Sequence, residues 1–113
     1  MKTIIYHNPR CGKSREALSL LKDNNQEVEI IEYLKDVLTI KQLKDLVALL
    51  GIKPIQLIRV KEELFKPYKN QQLTDDEVID LMIQHPILIE RPIVIKGNKA
   101  IIGRPPQLIL DVL

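Results

Sequence analysis

Thiols are nearly missing from this chain: among 113 residues there is one cysteine, Cys11. A single cysteine excludes an internal disulfide, and with only two histidines, far apart in sequence, it makes no metal-ligand set, so no metal site is expected. Aromatic residues are scarce as well. Three tyrosines, one phenylalanine and no tryptophan leave Ile, Leu and Val to build the core. A formal charge of +2 is too slight to argue for nucleic acid, and no nucleic-acid partner is expected. The opening "MKTIIYHNP" lacks the apolar run of a signal peptide, and no segment approaches membrane-spanning length. These absences point to a reduced, cytoplasmic protein with no membrane partner. Nothing in the sequence suggests an obligate interface, so a monomer is expected.

What is present is the composition of an ordinary globular domain. Apolar residues make up 45% and charged residues 28%, a balance that suits one modest core within residues 1–113. The run "TIIYH" (3–7) reads as a β-strand that the Asn8-Pro9 pair breaks. From Ser14 the spacing turns helical, with Ala17, Leu18 and Leu21 on one face until "DNNQ". "VEIIEYL" (28–34) reads as a second strand, so the first thirty-odd residues form a βαβ unit with parallel strands.

The middle of the chain reads as helical. Thr39 caps "IKQLKDLVALL", which Gly51 stops, and Pro54 opens a short helix, "PIQLIRVKEELF". Thr74 and Glu77 form a T-x-x-E capping box for "DDEVIDLMIQH", which Pro86 halts. β-structure then returns: "PIVI" (92–95) and "KAII" (99–102) flank a "KGN" turn, and Pro105-Pro106 suits the start of a last helix, "PQLILDVL". The order βαβ, three helices, ββα gives an α/β fold. It is a thioredoxin-like four-stranded mixed sheet with a helical insertion at about 39–86 between its βαβ and ββα halves.

The stretch "YHNPRCGKSR" (6–15) puts the lone thiol where strand hands over to helix. Unpaired N–H groups and the helix dipole favour negative charge there, so a thiol ionises more readily, and the thiolate is the reactive nucleophile. Arg10, Lys13 and Arg15 add positive charge, and His7 precedes the loop. Lone cysteines are commonly buried and inert. Neighbours such as Pro, Arg, Gly, Lys and Ser make a poor core, which favours the reactive alternative.

Three further arginines lie outside this loop. Arg59 follows "LI", Arg91 stands between Glu90 and Pro92 just before a strand, and Arg104 follows Gly103 just after the hairpin. In a thioredoxin-like sheet the start of the third strand lies beside the cysteine loop, and a proline there is often cis, which makes Pro92 the cis-proline candidate. Guanidinium forks suit a tetrahedral oxyanion.

Taken together, "YHNPRCGKSR", "LIR", "TDDEVIDLMIQHPILIERPIVI" and "GRPP" resemble the ArsC-type arsenate reductases, the glutathione- and glutaredoxin-coupled kind, over essentially the whole chain. The resemblance is to the short subgroup, since the best-known members carry an extra C-terminal stretch beyond the position of Leu113. It implies that Cys11 attacks arsenate, and that Arg59, Arg91 and Arg104 occupy the family's three oxyanion-binding positions. His7, Ser14 and Arg15 match residues that support the thiolate. No bound cofactor is implied. Glutathione serves as co-substrate, glutaredoxin follows as partner, arsenite leaves and Cys11 is restored, the chemistry of arsenic detoxification.

Two alternatives share these features. Transcriptional regulators of the Spx type have this fold, bind RNA polymerase, and commonly carry a C-x-x-C switch in the same loop. Ser14 in place of the second cysteine removes that switch. A glutathione-dependent thiol oxidoreductase acting on another substrate is the other, since "CGKS" also has the shape of a monothiol glutaredoxin motif.

Overall fold

The computed structural model describes residues 2–113. The chain divides into two compact units, one formed by the residues up to Asp36 together with Arg91–Leu113, the other by Val37–Glu90. The expected insertion at 39–86 falls inside the second.

The first unit is built on four strands: β1 (Thr3–Tyr6), β2 (Val28–Ile31), β3 (Ile93–Lys96) and β4 (Lys99–Ile102). Their order in the sheet is β2-β1-β3-β4, with β1 and β2 parallel and the other pairs antiparallel. This is the mixed sheet of a thioredoxin-like α/β fold. The parallel pair is joined by α1 (Gly12–Asp23), the crossover that parallel strands require. On α1, Ser14, Ala17 and Leu21 are buried, spaced three and four apart along one face. Ala17 and Leu21 meet the row formed by Ile5 and Val94, which pair across β1 and β3. Ile109 and Val112 close the same core from the C-terminus. Each fully buried aliphatic side chain here is worth about 1.5–3 kcal/mol.

Register decides where the loops emerge. Tyr6 pairs with Ile93 and Ile93 pairs with Ile102. The end of β1, the start of β3 and the end of β4 therefore share one end of the sheet.

The second unit is helical. In α2 (Ile40–Leu50), Thr39 Oγ1 accepts the Gln42 N–H at 3.1 Å and the Gln42 side chain accepts the Thr39 N–H at 2.9 Å. Gly51 ends α2 with φ +68°, the left-handed conformation that glycine adopts without cost. In α3 (Asp75–Gln84) the Thr74–Glu77 box closes at 3.2 and 2.9 Å, and Asp75, Asp76 and Glu77 place three carboxylates at the positive end of the helix. His85 caps the other end, its N–H bonded to Leu81 O at 2.8 Å. Among the described residues no helix is long and apolar enough to cross a membrane.

Two expected helices take another form. "PIQLIRVKEELF" splits into 3₁₀ segments at Pro54–Leu57 and Glu63–Tyr68. Between them Ile58 leaves to make an antiparallel bridge with Ile89, held by Arg59 N–H to Leu88 O at 2.7 Å and Glu90 N–H to Leu57 O at 2.8 Å. A β-branched pair in this ladder outweighs the weak local helix preference, and Pro67 bars an α-helix from the second piece. The C-terminal "PQLILDV" is likewise a 3₁₀ segment, Pro106–Val112. Strand ends also move slightly: β2 stops at Ile31, before "EYL", and β3 begins one residue after Pro92.

Candidate active site

The loop after β1 is closed by its own backbone and by three polar side chains. His7 N–H continues the parallel ladder onto Ile31 O at 2.8 Å. Asn8 then folds the chain back: its side-chain Oδ1 accepts Arg10 N–H at 3.0 Å, and its carbonyl accepts Cys11 N–H at 3.0 Å. An asparagine side chain commonly organises a turn in this way. Cys11 is the N-cap of α1, extended at φ −91° and ψ 122°, and its carbonyl accepts Arg15 N–H at 3.0 Å. From one turn into the helix, Arg15 Nη1 reaches back to Pro9 O at 3.0 Å.

The N-cap is where a side-chain acceptor meets the free N–H groups of the first helical turn. Here the side chain in that position is a thiol, which closes no cap hydrogen bond but feels the N–H groups of Ser14 and Lys13. Partial burial pushes the Cys11 thiol up, but the backbone N–H groups of Ser14 and Lys13, a hydrogen bond from Arg91 and the charge on Arg104 together outweigh it, so its pKa lies below the ordinary thiol value. A thiol lowered in this way supplies the thiolate, which is the nucleophile.

Arg91 and Arg104 arrive from the two strand ends that register brings beside the loop. Arg91 is buried, at 4% exposure. Arg104 Nε donates to Arg91 O at 2.7 Å, and Arg104 Nη2 stands 3.7 Å from Cys11 Sγ. The Arg91–Pro92 peptide is cis, and so is Arg104–Pro105. Gly103 N–H donates to Pro92 O at 2.8 Å. A Cβ on Gly103 would lie 3.0 Å from both Pro92 Cγ and Ile109 Cγ2, so a larger residue there requires one of these side chains to give by a few tenths of an ångström.

His7 is buried behind the loop, with Nδ1 2.6 Å from Ser14 Oγ. The same hydroxyl oxygen accepts Asn8 N–H at 3.1 Å. Burial lowers the His7 pKa, Glu32 opposes this, and Arg15 and Lys22 add to it, for a net shift below the ordinary value. The ring is therefore neutral near pH 7. Nδ1 and the Ser14 hydroxyl share one hydrogen bond, whose donor is set by the ring tautomer.

Cys11, His7, Ser14, Arg15, Arg91 and Arg104 all belong to the first unit, and the structure gives each a distinct place. Arg91, Arg104 and the Ser14 backbone act on the thiol. The Ser14 hydroxyl instead joins His7 to Asn8, and Arg15 holds the Pro9 carbonyl. Arg59 belongs to the second unit, where Nη1 pairs with Glu62 Oε1 at 3.3 Å. The sequence reading overlooked Asn8, seen there only as a strand breaker. It also overlooked Glu32, whose charge acts on His7 from the end of β2. The Asn-Pro pair was the available signal for Asn8. Glu32 had none, because only the β1–β2 register brings it near.

The sequence matches the model of the ArsC family over residues 6–112. It is 43% identical to an arsenate reductase of Haemophilus influenzae, an alignment that covers all of both chains. It is 44% identical to the uncharacterised protein YfgD of Escherichia coli K12, over 96% of this chain and 94% of that one. Among solved structures, the arsenate reductase of Vibrio cholerae superimposes with a TM-score of 0.95 at 42% identity, covering 100% of this chain and 98% of that one.

Proposed function

The chain belongs to the ArsC family, and on that premise we propose that it reduces arsenate to arsenite through Cys11. The observation that carries this reading is the Cys11 sulfur at a helix N-cap with the Arg104 guanidinium 3.7 Å away and Arg91 hydrogen-bonded to it. A nucleophile and two oxyanion donors thus share one place. The likeness to the arsenate reductases of Haemophilus influenzae and Vibrio cholerae agrees with it.

In this mechanism the Cys11 thiolate attacks arsenic and forms a sulfur–arsenic bond. One arsenic–oxygen bond breaks, and that oxygen leaves as water with two protons. Arg91 and Arg104 offset the charge of the remaining oxygens, where forked donors do more than a point charge. Reduction needs two thiols from outside, since no other cysteine exists in the chain. Their sulfurs join as a disulfide and the electron pair passes to arsenic. In sum, arsenic acid and two thiols give arsenous acid, one disulfide and one water, with Cys11 regenerated. Glutathione and then glutaredoxin are the thiols this reading assigns. Arg59 enters as a third substrate arginine on the strength of its "LIR" motif.

The test is arsenate-dependent NADPH oxidation with glutathione, glutaredoxin and glutathione reductase supplied, comparing wild type with Cys11→Ser. Turnover that needs arsenate, glutathione and Cys11 is the expected result. A Cys11 that alkylates rapidly near neutral pH but turns over no arsenate would transfer the site to a glutathione-dependent oxidoreductase with another substrate. A regulator of the Spx type finds no support in Ser14, whose hydroxyl is already committed to His7 and Asn8.

A further inference from the structure

The hydrogen bond between His7 and Ser14 has a direction, and one carboxylate stands where it can set it. In the parallel ladder Thr3, opposite Val28, donates to Glu27 O at 2.8 Å, and His7 N–H makes the same kind of bond to Ile31 O, so His7 stands opposite Glu32. Neighbouring strands lie about 4.8 Å apart. Both residues line one cavity of about 220 Å³ beside the loop. The Glu32 carbonyl accepts Lys35 N–H and Asp36 N–H, both at 2.9 Å, which fixes Glu32 where the chain leaves β2. We infer that Glu32 is a positioning residue: it keeps the His7 proton on Nε2, so that Ser14 donates to Nδ1 and the hydrogen bonds run one way, from Asn8 N–H through the Ser14 hydroxyl to His7. The inference rests on the reading of Cys11 as the nucleophile that this loop presents.

Each side of the ring has its own surroundings. Nδ1 is 2.6 Å from Oγ of Ser14, which is fully buried and does not line the cavity, so the nitrogen left to the cavity is Nε2. Two arrangements are open to a neutral ring. With the proton on Nε2, Ser14 donates to Nδ1 and accepts Asn8 N–H at 3.1 Å. The hydroxyl is then satisfied in both senses, and each bond polarises the next. With the proton on Nδ1, Ser14 accepts from both neighbours, the two bonds oppose each other, and its own proton has no acceptor among the described residues.

Charge decides between them. Glu32 is the one anion among the groups whose charge acts on the ring; Arg15 and Lys22 act from α1, and Arg10 and Lys35 line the cavity. A carboxylate on the Nε2 side favours a proton there, whereas the cations alone favour a bare nitrogen. Lys35 pairs with Glu32 only loosely, 3.8 Å away with its side chain 78% exposed, and so offsets the carboxylate little. At the other end of this chain of bonds, Asn8 O accepts Cys11 N–H and Asn8 Oδ1 accepts Arg10 N–H, both at 3.0 Å. Glu32 thereby acts on the loop that presents Cys11 through His7, Ser14 and Asn8.

The nitrogen NMR shifts of the ring, read in the arsenate-free protein at a pH where the ring is neutral, report the tautomer. The chain has two histidines, so His85→Gln identifies the His7 signals. Wild type is expected to carry the proton on Nε2. Glu32→Gln is expected to lower the ratio of Nε2–H to Nδ1–H about tenfold, the effect of one nearby charge, and Glu32→Asp to restore it. In Glu32→Gln, hydrogen exchange of the Asn8 amide should quicken, and arsenate kcat should fall with KM unchanged. A wild-type ring protonated on Nδ1, a ratio unmoved in Glu32→Gln, or a ratio that moves while Asn8 exchange and kcat do not, would each overturn the positioning role. The expected ratio and exchange in a protein that turns over no arsenate would uphold that role and discard the substrate assignment.

Discussion

Arg104 donates from Nε to the backbone carbonyl of Arg91 at 2.7 Å and holds Nη2 3.7 Å from Cys11 Sγ, so one arginine's main chain aims the other's side chain. Lysine cannot make both contacts from one head group. Arg104→Lys keeps the charge but loses the aim. Loss of a charge-assisted hydrogen bond, about 1.5–3 kcal/mol, predicts a fall in arsenate kcat/KM of about ten- to a hundredfold. Steady-state kinetics of the variant check this, and unchanged kinetics would remove the Arg91–Arg104 contact from the mechanism.

Ser14→Ala separates two roles of one residue. Its fully buried hydroxyl joins His7 Nδ1 to Asn8 N–H, and its removal leaves buried groups unsatisfied, at a cost of about 1–3 kcal/mol. Urea unfolding should show that loss. The backbone N–H that lowers the thiol survives in alanine, so iodoacetamide alkylation across pH should still report an acidic Cys11. A thiol restored to its ordinary value would show that the hydroxyl itself supports the thiolate.

The His7 ring gives stability a pH dependence of known sign. Its folded pKa lies below the unfolded value of about 6.5, chiefly through burial, so between the two the unfolded chain binds more protons. The contribution is full above about pH 6.5 and is lost as pH falls toward the folded pKa. The unfolding free energy of wild type should therefore drop from pH 7.5 to pH 5.5 by more than that of His7→Asn. Glu32→Gln, by removing the one group that raises the ring's pKa, should move the His7 titration followed by NMR to still lower pH.

Gly103→Ala tests the packing under the arginines. The added Cβ would lie 3.0 Å from Pro92 Cγ and from Ile109 Cγ2, and overpacking of this kind costs about 1–3 kcal/mol. A lower urea midpoint is expected, together with a higher arsenate KM, because the Pro92 ring or the Ile109 side chain must shift by a few tenths of an ångström beside the segments that carry Arg91 and Arg104. A variant as stable as wild type would show that the two segments give way without cost.

Much of this was legible in residue order. The Thr39 and Thr74 caps and the Gly51 stop are local devices, fixed within three or four residues, and the sequence reading places them where the structure has them. The Cys11 loop was equally readable, since its flanks are poor core material and the helix that follows begins at once. The family motifs located Arg91 and Arg104 where composition would have treated each as solvated surface.

What escaped depends on distant partners. Ile58 and Ile89 meet across more than thirty residues, and their bridge breaks what local spacing presents as one helix from Pro54. Pro106–Val112 is 3₁₀, and its Ile109 and Val112 share the core of Ile5 and Leu21, which period alone does not reveal. Arg15, expected to support the thiolate, also holds the Pro9 carbonyl, a contact its charge alone does not reveal.

The register of the sheet has one further consequence. Pairing of Tyr6 with Ile93, and of Ile93 with Ile102, gathers all the reactive groups of the first unit at one rim. The pairings of Thr3 with Lys96 and of Lys96 with Lys99 send the hairpin turn to the opposite rim, a full strand length away. That turn is a mute edge, where a graft, a reporter or a surface tether can be inserted without disturbing Cys11, Arg91 or Arg104.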